Sequence, residues 1–142
     1  MKARKVRDLD PDGTFAENAE KILAVRKDEL EQLARRAQDP RKVKALHDTR
    51  IAAKRLRYLY EITEPCFGEQ ARRGVKFTRG LQDVLGEIHD CDVMSERIRA
   101  RALDFRVEDE RYLGLDALAT YLEAKRRVLH RHFVDVWGET EL

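Results

Sequence analysis

The sequence predicts an all-α protein, an antiparallel four-helix bundle with one additional short helix. Three observations carry this expectation. Apolar residues recur at three- and four-residue steps along most of the chain, and no stretch alternates with period two. Only three prolines and seven glycines interrupt the 142 residues, so long runs rich in Ala, Leu, Glu, Lys and Arg favour helix. The segments between the periodic runs are short, which sets consecutive helices side by side. A chain of this length, 42% hydrophobic and 39% charged, can bury one ordinary core.

Residues 1–13 are polar and basic, and are expected to form a flexible arm ahead of one helical domain over 14–142. Pro11, Asp12 and Gly13 read as a turn. Thr14 then caps a helix, with Glu17 three residues on completing a capping box. The first helix is expected from Phe15 to Gln38, with Phe15, Ala19, Ile22, Leu23, Leu30, Leu33 and Ala37 as its apolar stripe. Asp39-Pro40 ends it. The second is expected from Arg41 to Thr63, closed by Glu64-Pro65 and a turn at Cys66-Phe67-Gly68. The third runs from Glu69 to His89 with a stripe at Phe77, Leu81, Val84, Leu85 and Ile88. Its glycines, Gly74, Gly80 and Gly86, suggest a tight helix crossing. Asp90 or Asp92 is expected to break it and cap the short helix, Val93 to Ala102. The last helix runs from Leu113 to Trp137, with Leu118, Tyr121, Leu122, Leu129, Phe133 and Val136 facing the core.

The second helix organises the chain. On a helical wheel, Leu46, Thr49, Ala53, Leu56 and Tyr60 share one side, while His47, Arg50, Lys54, Arg57, Tyr58 and Glu61 share another. One face can enter a core while its neighbour presents a file of cations. Arg50, Lys54 and Arg57 span about 10 Å of helix axis, a geometry suited to a linear polyanion rather than a point-like ligand. Net charge is only +2. Yet seven Lys or Arg and a single acid, Asp48, fall between Arg41 and Tyr60, so the positive field is local. The competing reading is a merely solvated charged face.

Two further cations interrupt apolar stripes, Arg26 on the first helix and Lys125 on the last, with His132 close to the same face. Each must reach water or find an anion. Either it pairs with a carboxylate such as Glu29, Asp83 or Glu123, or these helices line a wet, positive cleft with His47, Arg50, Lys54 and Arg57. Lys76 and Arg79 are candidates for the edge of that cleft. His89, Asp90, Cys91 and Asp92 tempt a metal assignment, but consecutive helical residues point in different directions, so no metal is expected. Cys66 and Cys91 form no CxxC pair, and reduced, inert thiols are expected. No run reaches membrane-spanning length and no signal-peptide core follows the start. The expectation is a cytoplasmic protein with no membrane contact.

Residues 47–58, HDTRIAAKRLRY, resemble the signature of the CHAD family, the conserved histidine α-helical domain. His47, Arg50, Lys54, Arg55, Leu56 and Arg57 match it in place. Residues 81–93 resemble the second family motif at Leu85-Gly86, Asp90, Asp92 and Val93, and 121–137 resemble its closing helix. The resemblance implies helical bundles that bind inorganic polyphosphate through basic residues, at times on polyphosphate granules. It departs in length. Family domains typically have two similar halves facing each other across a basic cavity, and this chain holds one His-Arg signature. A homodimer could supply the second half.

The expected function is therefore a non-enzymatic binding module, without cofactor, for polyphosphate or a similar polyanion. The expected binding set is His47, Arg50, Lys54, Arg55, Arg57, Arg26, Lys76, Arg79 and Lys125. Arg offers phosphate a planar fork and Lys a compact charge. Two alternatives are an RNA- or DNA-binding helical protein and an accessory domain of a phosphate-processing enzyme. The first usually adds aromatic stacking, for which only Tyr58 is placed. The second normally needs a carboxylate cluster with Mg²⁺, which Glu61 and Asp83 do not make convincingly.

Overall fold

Thr14 opens the first helix as its spacing to Glu17 predicts. The Glu17 N–H donates to the Thr14 hydroxyl and the Thr14 N–H to the Glu17 carboxylate, both at 3.2 Å. The computed structural model describes residues 1–140; residues 141 and 142, the last of the expected domain, lie outside it. It contains α1 (Phe15–Ala37), α2 (Val43–Phe67), α3 (Glu69–Ala102) and α4 (Glu110–Gly138). Among the described residues there is no strand, and no helix is long and apolar enough to cross a membrane. The protein is an all-α helical bundle.

Each helix packs on the next in sequence. Lys27 and Glu29 of α1 meet Tyr60 and Arg55 of α2. Tyr60 and Arg50 of α2 meet Gly74 and Gly86 of α3. Phe77 and Arg99 of α3 meet Trp137 and Glu123 of α4. In every pair residue numbers fall along one helix as they rise along the other. The core between them is built from Leu30, Ala34, Ala53, Leu56, Leu81, Leu85 and Phe133, all at or near zero exposure. Ala34 and Ala37 of α1 and Ala52 and Ala53 of α2 are buried in the same core. Thr49, Thr63 and Thr78 are buried as well, and each donates its hydroxyl to the carbonyl four residues back, at 2.6 to 2.8 Å. That removes the cost of burying an unpaired polar group. α4 also reaches α1 through buried His130, whose Nε2 lies 2.8 Å from the Ala37 carbonyl oxygen. This occupies one of the acceptors that a helix leaves open at its C-terminus.

The structure corrects several boundaries. α3 runs unbroken through Asp90 and Asp92 to Ala102, so the additional short helix is its last third. Cys91, Ile98 and Ala102 continue the buried stripe of α3, and Asp92 pairs with Arg126 of α4 instead of capping a new helix. Burial against α4 outweighs the modest helix penalty of two aspartates. α2 likewise passes Pro65 and ends at Phe67. α4 begins three residues early, with Asp109 as its cap accepting from the Arg111 N–H at 2.9 Å. Phe15, Leu118 and Tyr121, expected in the core, are 59%, 48% and 62% exposed.

A single residue links α2 to α3. Gly68 has φ +52°, which side-chain-bearing residues rarely adopt, and its N–H donates to the Glu64 carbonyl at 2.8 Å. The close approach at α3 is made at Gly74, and by a ring rather than a backbone. A Cβ there would lie 2.5 Å from the Tyr60 ring. The same burial pushes the Tyr60 phenol up to about 12. At Gly80 a Cβ would meet nothing within 4 Å. Gly74→Ala and Gly80→Ala should therefore change stability in opposite directions. Overpacking costs roughly 1–3 kcal/mol and exceeds the helix-propensity gain at 74, while Gly80→Ala should gain about 0.5–1 kcal/mol. Thermal melts of the two variants check this.

Candidate functional site

Packing α2 through Leu46, Thr49, Ala53, Leu56 and Tyr60 leaves its adjacent face along the border with α3. That border is the candidate site. His47, Arg50 and Arg57 are half-buried there, and Lys54 is exposed. Arg50 lies over Gly86, its Nε 3.6 Å from where a Cβ would be, an ordinary contact distance, so the guanidinium packs directly on α3. The His47 ring meets the His89 ring with centroids 5.1 Å apart, tilted by 33°. At the other end Glu61 sits between two arginines, 3.6 Å from Arg57 and 3.7 Å from Arg79 of α3. Tyr58 is flanked by Arg57 and Lys54, whose charged groups lie 4.9 and 5.7 Å from its ring centre.

Partnering separates this border from an ordinary charged surface. Asp48, the only acid in the basic stretch, is held by Lys44, and so does not neutralise the file. Among the described residues, neither Arg50 nor Lys54 has a carboxylate within 4 Å. Among the described residues His47 Nδ1 and Arg50 Nε are buried without a hydrogen-bond partner, and Arg57 Nε faces only the Glu61 carboxylate at 3.6 Å; outside the site one nitrogen each of Arg55 and Arg126 is in the same position. Buried donors in native proteins are nearly always paired. A row of them beside two free cations forms a surface that an oxyanion would complete. The cavities beside Tyr60, about 590 and 300 Å³, are lined by none of these residues, so the groove between α2 and α3 is separate from them.

The remaining expected site residues are distributed differently. Arg26 and Arg55 do not join the groove. They converge on buried Glu29, at 3.0 and 3.8 Å, so Arg26 pairs with one of the carboxylates that the sequence offered it. The N-terminal segment completes this cluster. The Arg4 N–H donates to Glu29, Arg26 donates to the Arg4 carbonyl, and Arg55 donates to the Met1 carbonyl. Arg4 also binds Asp28 and Gln32. Residues 1–13, expected as a flexible arm, are thus laid on α1. Lys76 is exposed on α3, without an ion-pair partner within 4 Å among the described residues. Lys125 is exposed on α4, close enough to Cys91 to act on its thiol, which burial pushes up despite that charge. Among the described residues, no group of three or more His, Cys, Asp or Glu is arranged to hold a metal.

His89 and Gly86 were not read as site residues from the sequence. The signal was available: on α3, Arg79, Gly86 and His89 fall within one arc of the wheel, facing the basic side of α2. Arg26→Ala should reveal the division of labour among the cations. It leaves buried Glu29 short of a donor, so it should cost about 1–3 kcal/mol of stability while leaving the charge of the groove intact. Chemical denaturation checks the loss.

The CHAD domain family model matches residues 3–99, about two thirds of the chain. The match takes in the basic signature, the groove face of α3 and the N-terminal segment, and leaves out the 121–137 stretch that resembles the family's closing helix. No curated protein and no solved structure matches the chain. On the strength of that family match and the helical bundle beneath it, the chain belongs to the CHAD domain family.

Proposed function

We propose that the groove between α2 and α3 binds inorganic polyphosphate, or a linear polyanion of the same chemistry, without transforming it. One observation carries the reading. The Arg50 guanidinium and the His47 ring hold buried nitrogens with no hydrogen-bond partner, next to Lys54, in a groove whose ion pairs, among the described residues, run to Glu61. The family supports it, since CHAD domains are associated with polyphosphate- and triphosphate-related proteins. In this reading Arg50 and Arg57 grip phosphoryl oxygens through their planar forks, Lys54 adds charge, and His47 and His89 donate from one end. The groove runs about 15 Å along α2 from His47 to Arg57, so consecutive phosphoryl groups of one chain are engaged. The proposal places the protein in the cytoplasm, on polyphosphate stores.

Glu61 acts against the ligand, because a phosphate approaching Arg57 or Arg79 competes with its carboxylate. Nucleic acid is the weaker reading, since Tyr58 is the one aromatic residue within the basic file, and recognition of bases usually adds several stacking platforms.

Binding of polyphosphate and of single-stranded RNA, each at two salt concentrations, tests the reading. Polyphosphate should bind more tightly than RNA and weaken with salt through counterion release. Arg50→Ala, Lys54→Ala and Arg57→Ala should each weaken binding and lower the salt slope by about one unit, with unchanged melting temperatures for Arg50→Ala and Lys54→Ala. Glu61→Gln should tighten binding. Wild-type affinity in all three alanine variants would reduce the file to a solvated surface.

A further inference from the structure

Among the described residues, the outward face of α4 has no partner. Leu118, Tyr121 and Val128 are 48%, 62% and 60% exposed. With Gly114, Lys125 and His132, also exposed, they recur at alternating steps of four and three residues. This is the heptad spacing of a helix seam. By helical angle the line lies opposite Ala119, Phe133 and Trp137, which face the rest of the bundle. Three large apolar side chains exposed along one line of a helix mark an interaction surface.

We propose that this face pairs with α4 of a second copy of the chain, antiparallel about a two-fold axis. The seam is self-complementary in that arrangement. Centring the pair on residue 123 sets Leu118 opposite the partner's Val128, and Tyr121 opposite the partner's Lys125. The same register sets Gly114 opposite the partner's His132, and Arg111 opposite the partner's Asp135. Each pair occurs twice by symmetry. Two apolar contacts, two cation–ring contacts and two opposite-charge pairs therefore fall on one line. Lys125 and Asp135 have no ion pair within 4 Å among the described residues, so both are free to make these contacts. Arg111 pairs with Asp109 of its own chain at 2.8 Å and shares its guanidinium between that carboxylate and the partner's Asp135. Ala124 lies beside the axis and lets the helices approach.

The alternatives are worse on charge alone. A parallel pair sets Lys125 against Lys125, Arg111 against Arg111 and Asp135 against Asp135. An antiparallel pair shifted by one heptad sets either Arg111 against the partner's Val128 or Leu118 against the partner's Asp135. Of these three antiparallel registers, the central one leaves no charge facing an aliphatic side chain along this line.

This pairing differs from the one the sequence suggested, in which two basic faces enclose the anion. Arg79 and Gly86, at the groove, lie on the other side of α3 from Phe77 and Arg99, which hold α4. Both grooves stay open in the dimer. Association does not depend on polyphosphate, so the proposal stands or falls separately from the binding function.

Sedimentation equilibrium of the full chain over a range of concentrations tests it. The expected result is a concentration-dependent monomer–dimer equilibrium, unchanged by added polyphosphate. Leu118→Glu and Val128→Glu should each raise the dissociation constant at least about tenfold, and their helical signal should match wild type, because both positions are exposed. Arg111→Asp should weaken the dimer, and adding Asp135→Arg should restore it. A chain that stays monomeric at its highest soluble concentration overturns the proposal, as does a dimer that forms only with polyphosphate or ignores both glutamate variants. Failure of the paired charge swap to restore association overturns the antiparallel register.

Discussion

α2 must bury one face between α1 and α3 and keep the adjacent face wet, and the rest of the molecule follows from that requirement. Its buried side, Leu46 through Tyr60, contacts both neighbours. The cations next to that side cannot move far from α3, because they share a rigid helix with the core residues. Burial of Leu56 and Ala53 thus sets the position of Arg50 and Arg57. Hydrophobic packing supplies the energy, and the groove inherits its geometry.

Carboxylates then sort the cations by role. Arg26 and Arg55 share Glu29 with the N-terminal segment and fasten the edge of the bundle. Arg99 and Arg126 fasten α4 to α3 through Asp116, Glu123 and Asp92. Arg99 holds the Glu123 carboxyl below its ordinary range. Arg57 and Arg79 share one acid, and Arg50 and Lys54 have none within 4 Å among the described residues. A half-buried guanidinium without an anion is costly, and Arg50 stands in that position beside Lys54 and the His47 ring, in the groove.

Much of this is legible in the sequence because a single 3.6-residue period writes both faces of α2. The Thr14–Glu17 box is local chemistry and is equally readable. The failures have a common physical source, in that tertiary burial overrides local signals. Asp90 and Asp92 resemble a helix break, yet Cys91 and Ile98 carry α3 through them. Leu118 and Tyr121 resemble core, because α4 bears two apolar lines and periodicity alone does not say which one the chain itself covers. His89 drew notice only as part of a consecutive metal-like run, although its partner across the groove, His47, lies 42 positions earlier. The division between Arg26 and Arg50 required knowing where Glu29 sits.

The four histidines report on the central claim independently. His47 and His89 meet in the groove, His130 is buried beside Ala37, and His132 is exposed on α4. Titrating polyphosphate while following the imidazole signals by NMR separates them. The account expects the His47 and His89 signals to move together and saturably, with those of His130 and His132 unchanged. Binding of polyphosphate that leaves His47 and His89 unmoved would contradict it.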